Sequence, residues 1–282
     1  MSDFKIGIDY GGTKIEGILI DSNGKEILRK RSTYEKNYES GLNTVKSLVS
    51  EFDKFTDQQN SVGVCIPGFS SYETGLVNNA NCIWINDKPF HKDLEKSLNR
   101  EIRIMNDANC FALSEAIDGS GANYKSVWGV IIGSGFGGSF VYEKKVIEGV
   151  NQIAGDWGHQ PLPYPTEEEI NSNVQCNVGN CKRPLCAEQF ISGIGFTKLF
   201  NEKYGTSLRT REIVALEANG DERAKKEFEL YEDRFARLIS VMIGIVDPEV
   251  IVFGGGMSNV GRLYDNIDRK STRLNSSHLV IS

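Results

Sequence analysis

A chain of 282 residues, 39% hydrophobic and 25% charged, has ample material for one large or two ordinary domains, which excludes a disordered or fibrous protein. Its formal net charge of −6 argues against a nucleic-acid binder, which would carry a basic face. No apolar run is long enough to span a membrane and the first residues form no signal peptide, so the expected compartment is the cytoplasm.

Phe4 to Asp9 reads as a strand that turns at Gly11-Gly12 into a second strand, Lys14 to Asp21. Asp21 to Lys25 is a hairpin turn, and Glu26 to Ser32 pairs back as a third strand. The first turn is chemically loaded. Asp9 closes the strand, Gly11 and Gly12 permit positive φ, and Thr13 and Lys14 add a hydroxyl and a cation. Backbone N–H groups of such a loop can wrap phosphate oxygens, although the Gly-Lys-Ser/Thr order of a Walker A loop is absent. A tight hairpin without a ligand is the alternative.

Leu42, Val45, Leu48, Val49 and Phe52 give Tyr38 to Phe55 a helical period. Val62 to Ile66 is a buried strand ended by Pro67-Gly68, Lys92 to Leu98 a short helix, and Ile102 to Met105 a strand delivering Asn106-Asp107-Ala108-Asn109. Phe111 to Ile117 continues as a helix, which Asp107 could simply cap. Two amides beside one carboxylate exceed what a cap needs: the Asp can take a proton from a hydroxyl while the amides hold the polyol that carries it.

The pattern then repeats, with Val127 to Ile132 a strand, Ser139 to Tyr142 its hairpin partner and Lys145 to Glu148 a third strand. Gly133, Gly135 and Gly138 satisfy G-x-G-x-x-G, but a strand follows where a dinucleotide fold needs a helix. No H-R-D or D-F-G set follows, which excludes a protein kinase. A glycine flap over nucleotide phosphates fits better. Glu222 to Val246 is a long helical tract, and Val250 to Phe253 a buried strand ended by Gly254-Gly255-Gly256. The expected fold is a duplicated α/β one, with two similar halves around a central cleft: residues 1–115, a smaller N-terminal domain, and 116–267, a larger C-terminal one. Residues 268–282 follow no apolar period and look like the translation of a sequencing-adapter oligonucleotide, so they are read as a non-native tail.

Cys65, Cys82 and Cys110 read as buried thiols. Cys176, Cys181 and Cys186, evenly spaced in a Gly/Asn/Pro-rich loop, join His159 of Gly155-Asp156-Trp157-Gly158-His159 as a closed, structural Zn²⁺ set. Unpaired buried thiols are the alternative. Glu188, just beyond Cys186, would be fixed in place by such a clip.

From Lys5 to about Tyr264 the chain resembles the ROK family of sugar kinases, which have the actin-like ATPase (ribonuclease H-like) fold. The likeness rests on the 7–14 loop, Asn106 to Cys110, Gly133 to Gly138, Gly155 to His159, the cysteine loop, and Asp247-Pro248 with Gly254 to Asn259. It implies that ATP phosphates are held by Gly7, Ile8, Asp9, Tyr10, Gly11, Gly12, Thr13 and Lys14 and by Gly133, Ser134, Gly135, Phe136, Gly137, Gly138, Ser139 and Phe140. Gly254, Gly255 and Gly256 would lie near the adenosine, with Mg²⁺ bridging the phosphates near Asp9. Asp107 is implied as general base, and Asn81, Asn106, Asp156, His159 and Glu188 as contacts to sugar hydroxyls. His159, Cys176, Cys181 and Cys186 match the zinc ligands.

Asn78 to Phe90 and the segments around 157 and 190 most resemble bacterial fructokinase/mannokinase members, so fructose or mannose is the expected hexose, with N-acetylglucosamine or glucose the alternative. A homodimer is also implied. Asp156 stands where the family has Glu, and the cysteine loop is stretched to C-x₄-C-x₄-C. The family's repressors carry a DNA-binding segment ahead of the first glycine loop, where this sequence has three residues. A non-catalytic binding protein is the remaining alternative, resting on the altered C-terminal end.

Overall fold

The computed structural model describes residues 4–177, 181–275 and 280–281. The chain divides into two compact units, residues 1–110 with 149–153 and residues 111–148 with 154–282.

In the first unit β1 (Phe4–Tyr10), β2 (Lys14–Asp21) and β3 (Glu26–Thr33) form an antiparallel meander. Helix α1 (Tyr38–Thr56) crosses to β4 (Ser61–Ile66), which runs parallel to β1. A two-residue hairpin of β5 (Phe69–Ser70) and β6 (Val77–Asn78), a 3-10 turn at 83–85 and α2 (Phe90–Leu98) lead to β7 (Ile102–Asn106). The sheet order is β3-β2-β1-β4-β7. Asn37 caps α1 by accepting from Ser40 N at 2.8 Å, and Asp57 ends it in the left-handed region at φ 50°. Leu42, Val45, Leu48, Val49 and Phe52 are buried on one face, each contributing about 1.5–3 kcal/mol. Gly17 on β2 admits the Phe52 ring, since a Cβ there would stand 2.7 Å from it. Any side chain at 17 would push α1 off the sheet.

Helix α3 (Asp107–Ile117) leads into the second unit, where the scheme recurs. There β8 (Ser126–Ile132), β9 (Phe136–Tyr142) and β10 (Lys145–Val146) are an antiparallel meander. Four short helices, α4 (Glu167–Asn171), α5 (Glu188–Ile191), α6 (Gly193–Tyr204) and α7 (Thr210–Ala218), precede the long α8 (Glu222–Val246). Strand β11 (Val250–Gly254) runs parallel to β8, followed by α9 (Arg262–Asn275) and β12 (Val280–Ile281). The order is β10-β9-β8-β11-β12, the counterpart of the first sheet, as expected of a duplicated fold.

Two sequence expectations change. Helix α3 begins at Asp107, four residues early, because Asn106 Oδ1 accepts from Ala108 N (2.9 Å) and Asn109 N (3.3 Å) directly off the strand. The tail, from 268, continues helix α9 to Asn275; the buried Leu263 and Ile267 of that helix lie before the tail, and Ser271 is buried within it. Residues 276–279 and 282 of that tail lie outside the described residues. No described helix is long and apolar enough to cross a membrane.

Candidate active site

The parallel register of the first unit places Asp9 beside Cys65 and Cys65 beside Met105, aligning the C-terminal ends of β1, β4 and β7. That edge is where ligands bind in open α/β sheets. Asp9 ends β1 with an exposed carboxylate, and Cys65 Sγ donates to its Oδ1 at 3.4 Å. Asp107, at the β7–α3 junction, accepts from Ala108 N at 2.9 Å through Oδ1. Its carboxylate reaches solvent but is crowded by protein, and burial first, then the Asp9 charge, raise its pKa above the usual carboxylate range.

Asn106 is more committed than a sugar ligand should be. Besides its two accepted amide bonds, its Nδ2 donates to Gly68 O at 2.9 Å, and its side chain also hydrogen-bonds the Asp107 carboxylate. Asn109 is buried, and its backbone N–H is capped by Asn106. Asn81 is exposed. The loop that carries it is clamped by Asn86, whose Oδ1 accepts from Ala80 N and whose Nδ2 donates to Ala80 O, both at 2.9 Å.

In the first glycine loop Asp9, Thr13 and Lys14 are exposed, whereas Ile8 and Tyr10 are buried and can offer only backbone. Gly11 and Gly12 do not adopt the positive φ expected of them. At Gly11 closeness matters instead, since a Cβ would stand 3.0 Å from Lys14 O, whereas one on Gly12 would make ordinary contact, 3.5 Å from Cys82 Sγ. The turn closes through Gly11 N donating to Lys14 O at 3.2 Å.

In the second unit the turn proper is Gly133 to Gly135, closed by Gly133 N donating to Gly135 O at 2.9 Å. Phe136, Gly137, Gly138, Ser139 and Phe140 belong to β9, and the Phe136 and Ser139 side chains are buried. Gly254 is buried against the Phe111 ring, while Gly255 has φ 85° and room for no Cβ, since Ile132 O would lie 2.5 Å away. Gly255 and Gly256 are exposed, and the second glycine turn and the 254–256 loop therefore meet at the end of β8. Sequence reasoning missed a third part of this cluster. The N-terminus of α6 donates Gly193 N to Gly133 O at 2.8 Å, with Ser192 Oγ capping Gly195 N at 3.0 Å. The signal was there in Ser192-Gly193-Ile194-Gly195, a cap residue followed by small residues.

The 155–159 strap lies tight on β9: a Cβ on Gly158 would stand 1.9 Å from Phe136 O, and one on Gly155 2.7 Å from Gly138 O. Residues 158–162 also pair with 185–188, through Glu188 N to Gly158 O and Ala187 N to Gln160 O, both 2.8 Å, and Leu162 N to Leu185 O at 2.7 Å. Asp156, His159 and Glu188 are thereby brought together, close enough for His159 and Asp156 to act electrostatically on Glu188. The Glu188 carboxylate is buried and accepts from Phe136 N at 3.3 Å; burial raises its pKa above the usual range.

His159, Cys176, Cys181 and Cys186 have ligand atoms all within 4.8 Å of one another. One imidazole and three thiols at that separation fit a closed tetrahedral Zn²⁺ set, despite the stretched spacing. Nδ1 of His159 faces the sulfurs, 3.5 Å from Cys186 Sγ and 3.8 Å from Cys176 Sγ. That leaves Nε2 as the only ring nitrogen for a sugar hydroxyl.

The ROK family profile matches residues 5–280. The N-acetyl-D-glucosamine kinase of Pasteurella multocida (strain Pm70) is 38% identical over 270 residues, covering 94% of this chain and 88% of that protein. That of Citrobacter koseri is 39% identical over 254 residues, covering 90% and 84%. Both relatives are named for N-acetyl-D-glucosamine, the sugar given above as the alternative to fructose or mannose. Among solved structures, the ROK hexokinase from Thermus thermophilus superposes with a TM-score of 0.84 over 99% of this chain and 91% of that one, at 21% identity, which establishes the actin-like fold. With the profile spanning nearly every residue, and relatives alike over most of both lengths, the chain belongs to the ROK family.

Proposed function

We propose that the protein is an ATP-dependent sugar kinase that phosphorylates the primary hydroxyl of N-acetyl-D-glucosamine. The observation that carries the substrate is the 38% identity shared with N-acetyl-D-glucosamine kinases over most of both chains. Asp107 carries the chemistry. Its carboxylate, anchored by Ala108 N, is exposed where a hydroxyl could approach, and the raised pKa makes it a better base than an ordinary Asp.

The sugar oxygen would attack the γ-phosphorus of ATP in line as Asp107 takes its proton. The new O–P bond forms while the bond to the β-phosphate oxygen breaks, releasing ADP. Backbone N–H groups of Gly12, Ser134 and Gly135 would offset the charge on the transferred group, Gly11 N being committed to the turn. Asp9, an exposed hard-oxygen donor beside the first loop, suits Mg²⁺, which would neutralise phosphate charge when bound. Asn81, Asp156, Glu188 and His159 Nε2 would orient the sugar hydroxyls, and Asn106 would serve as a strut beside the Asp107 carboxylate. The His159/Cys set would hold structural Zn²⁺, fixing the strap and Glu188 together.

The test is ADP release in a coupled assay with N-acetylglucosamine, glucose, mannose and fructose. N-acetylglucosamine is expected to give the highest kcat/KM. A preference for fructose would overturn the substrate, and sugar-independent background with all four would overturn the kinase.

A further inference from the structure

A group outside every set above ties the first glycine loop to the core. Tyr34, just after β3, donates its hydroxyl to Gly11 O at 2.8 Å. All peptide bonds described are trans, so the carbonyl of Gly11 and the N–H of Gly12, which share one peptide plane, point in opposite directions. Drawing the Gly11 carbonyl inward onto Tyr34 therefore turns the Gly12 N–H away from the core. A single hydroxyl thus sets the direction of a backbone donor two bonds away.

The hydroxyl is itself held in place. The Tyr34 ring lies 5.5 Å from that of Tyr10 and 6.0 Å from that of Trp84, the latter edge-on. Trp84 Nε1 donates to Tyr10 Oη at 3.1 Å, and the Tyr10 and Tyr34 hydroxyls act on each other. Tyr10 is fully buried and needs Gly41 on α1, where a Cβ would stand 2.0 Å from its hydroxyl. Burial keeps the Tyr34 phenol protonated well above its usual range, so it remains a donor at any working pH. Trp84 sits three residues beyond Asn81, and Cys82 Sγ lies against Gly12, so the brace rests on the segment carrying the proposed sugar contact.

We infer that Tyr34 is a positioning residue for nucleotide binding: its hydroxyl, braced by Tyr10 and Trp84, presets the Gly11–Gly12 peptide so that Gly12 N–H faces a phosphate. This rests on the reading of the first glycine loop as a phosphate site. Tyr34→Phe deletes the hydroxyl and leaves the ring contacts, so the fold should persist. Losing one neutral hydrogen bond and the preset peptide should weaken nucleotide binding by about three- to tenfold. Trp84→Phe, which removes the bond to Tyr10 and shrinks the ring packed edge-on against Tyr34, should do the same more weakly.

The experiment is calorimetric titration of Mg²⁺ and AMP-PNP into wild type and both variants without sugar, with steady-state KM for ATP and for N-acetylglucosamine alongside. The expected result is a weaker nucleotide Kd and higher KM for ATP in Tyr34→Phe, with KM for the sugar within about twofold, since the loop carrying Asn81 keeps its own clamp at Asn86. Equal nucleotide affinity in wild type and Tyr34→Phe, or parallel loss for nucleotide and sugar, overturns the inference alone. Absence of nucleotide binding by wild type overturns the phosphate-loop reading and this inference with it.

Discussion

Gly158→Ala adds one methyl where the structure leaves no space. The new Cβ would start 1.9 Å from Phe136 O and 2.9 Å from Phe136 C, both backbone atoms of a central strand, so no rotamer can relieve the clash. Ordinary contact needs about 3.4 Å or more, and the 155–159 strap must therefore retreat by more than an ångström. It cannot do so alone, because Glu188 N is bonded to Gly158 O and Glu188 Oε2 to Phe136 N. Overpacking of this kind costs about 1–3 kcal/mol, which lowers Tm by roughly 2–12 °C for a domain of this size. Displacing Asp156, His159 and Glu188 together by about an ångström should reduce kcat/KM by on the order of 10². The assays are differential scanning calorimetry and coupled ADP release, with Gly63→Ala as control, since a Cβ at Gly63 meets nothing within 4 Å. A Gly158→Ala protein with wild-type Tm and wild-type kcat/KM would refute the reasoning.

Asn86→Ala removes both bonds that clamp Ala80 and leaves two backbone groups without these partners, costing about 1–3 kcal/mol for each one left unsatisfied. Sugar KM should rise more than ATP KM, and equal rises would assign Asn86 to folding alone. For pH, burial and Asp9 raise the Asp107 carboxyl, so kcat should fall on the acid side at a higher pH than an ordinary aspartate would give. The same shift means that the folded state binds this proton more tightly than the unfolded chain. Its stabilising contribution is therefore present at low pH and lost as pH rises through the folded pKa. Urea midpoints across pH, compared with Asp107→Asn, check the sign: the variant should be no less stable at neutral pH. Zinc content by mass spectrometry should be about one ion per chain and fall to background in Cys176→Ser, with a lower Tm. Full zinc retention by that variant would assign the metal to other ligands.

Long periodic elements were legible in the sequence. Strand β2 and helix α8 have the boundaries that alternation and helical spacing indicate, because each buries one face of a single core. The region between 160 and 220 was not, since α4 to α7 are short and take their places from the 158–162 and 185–188 pairing rather than from a local period. Glycines signalled a loop correctly but not through positive φ at Gly11 and Gly12; at Gly11 the constraint is close approach to Lys14 O. Asp107 could be picked out by its neighbours, whereas the Asn86 clamp and the Tyr34 bond join residues whose partnership only the folded chain creates.

The proton transfer assigned to Asp107 is the centre of the account, and Asp107→Asn tests it most directly, since it keeps shape and removes only basicity. With N-acetylglucosamine and ATP saturating, kcat should fall by on the order of 10²–10⁴ while Tm and AMP-PNP affinity stay near wild type. A variant that turns over within a few-fold of wild type would contradict it.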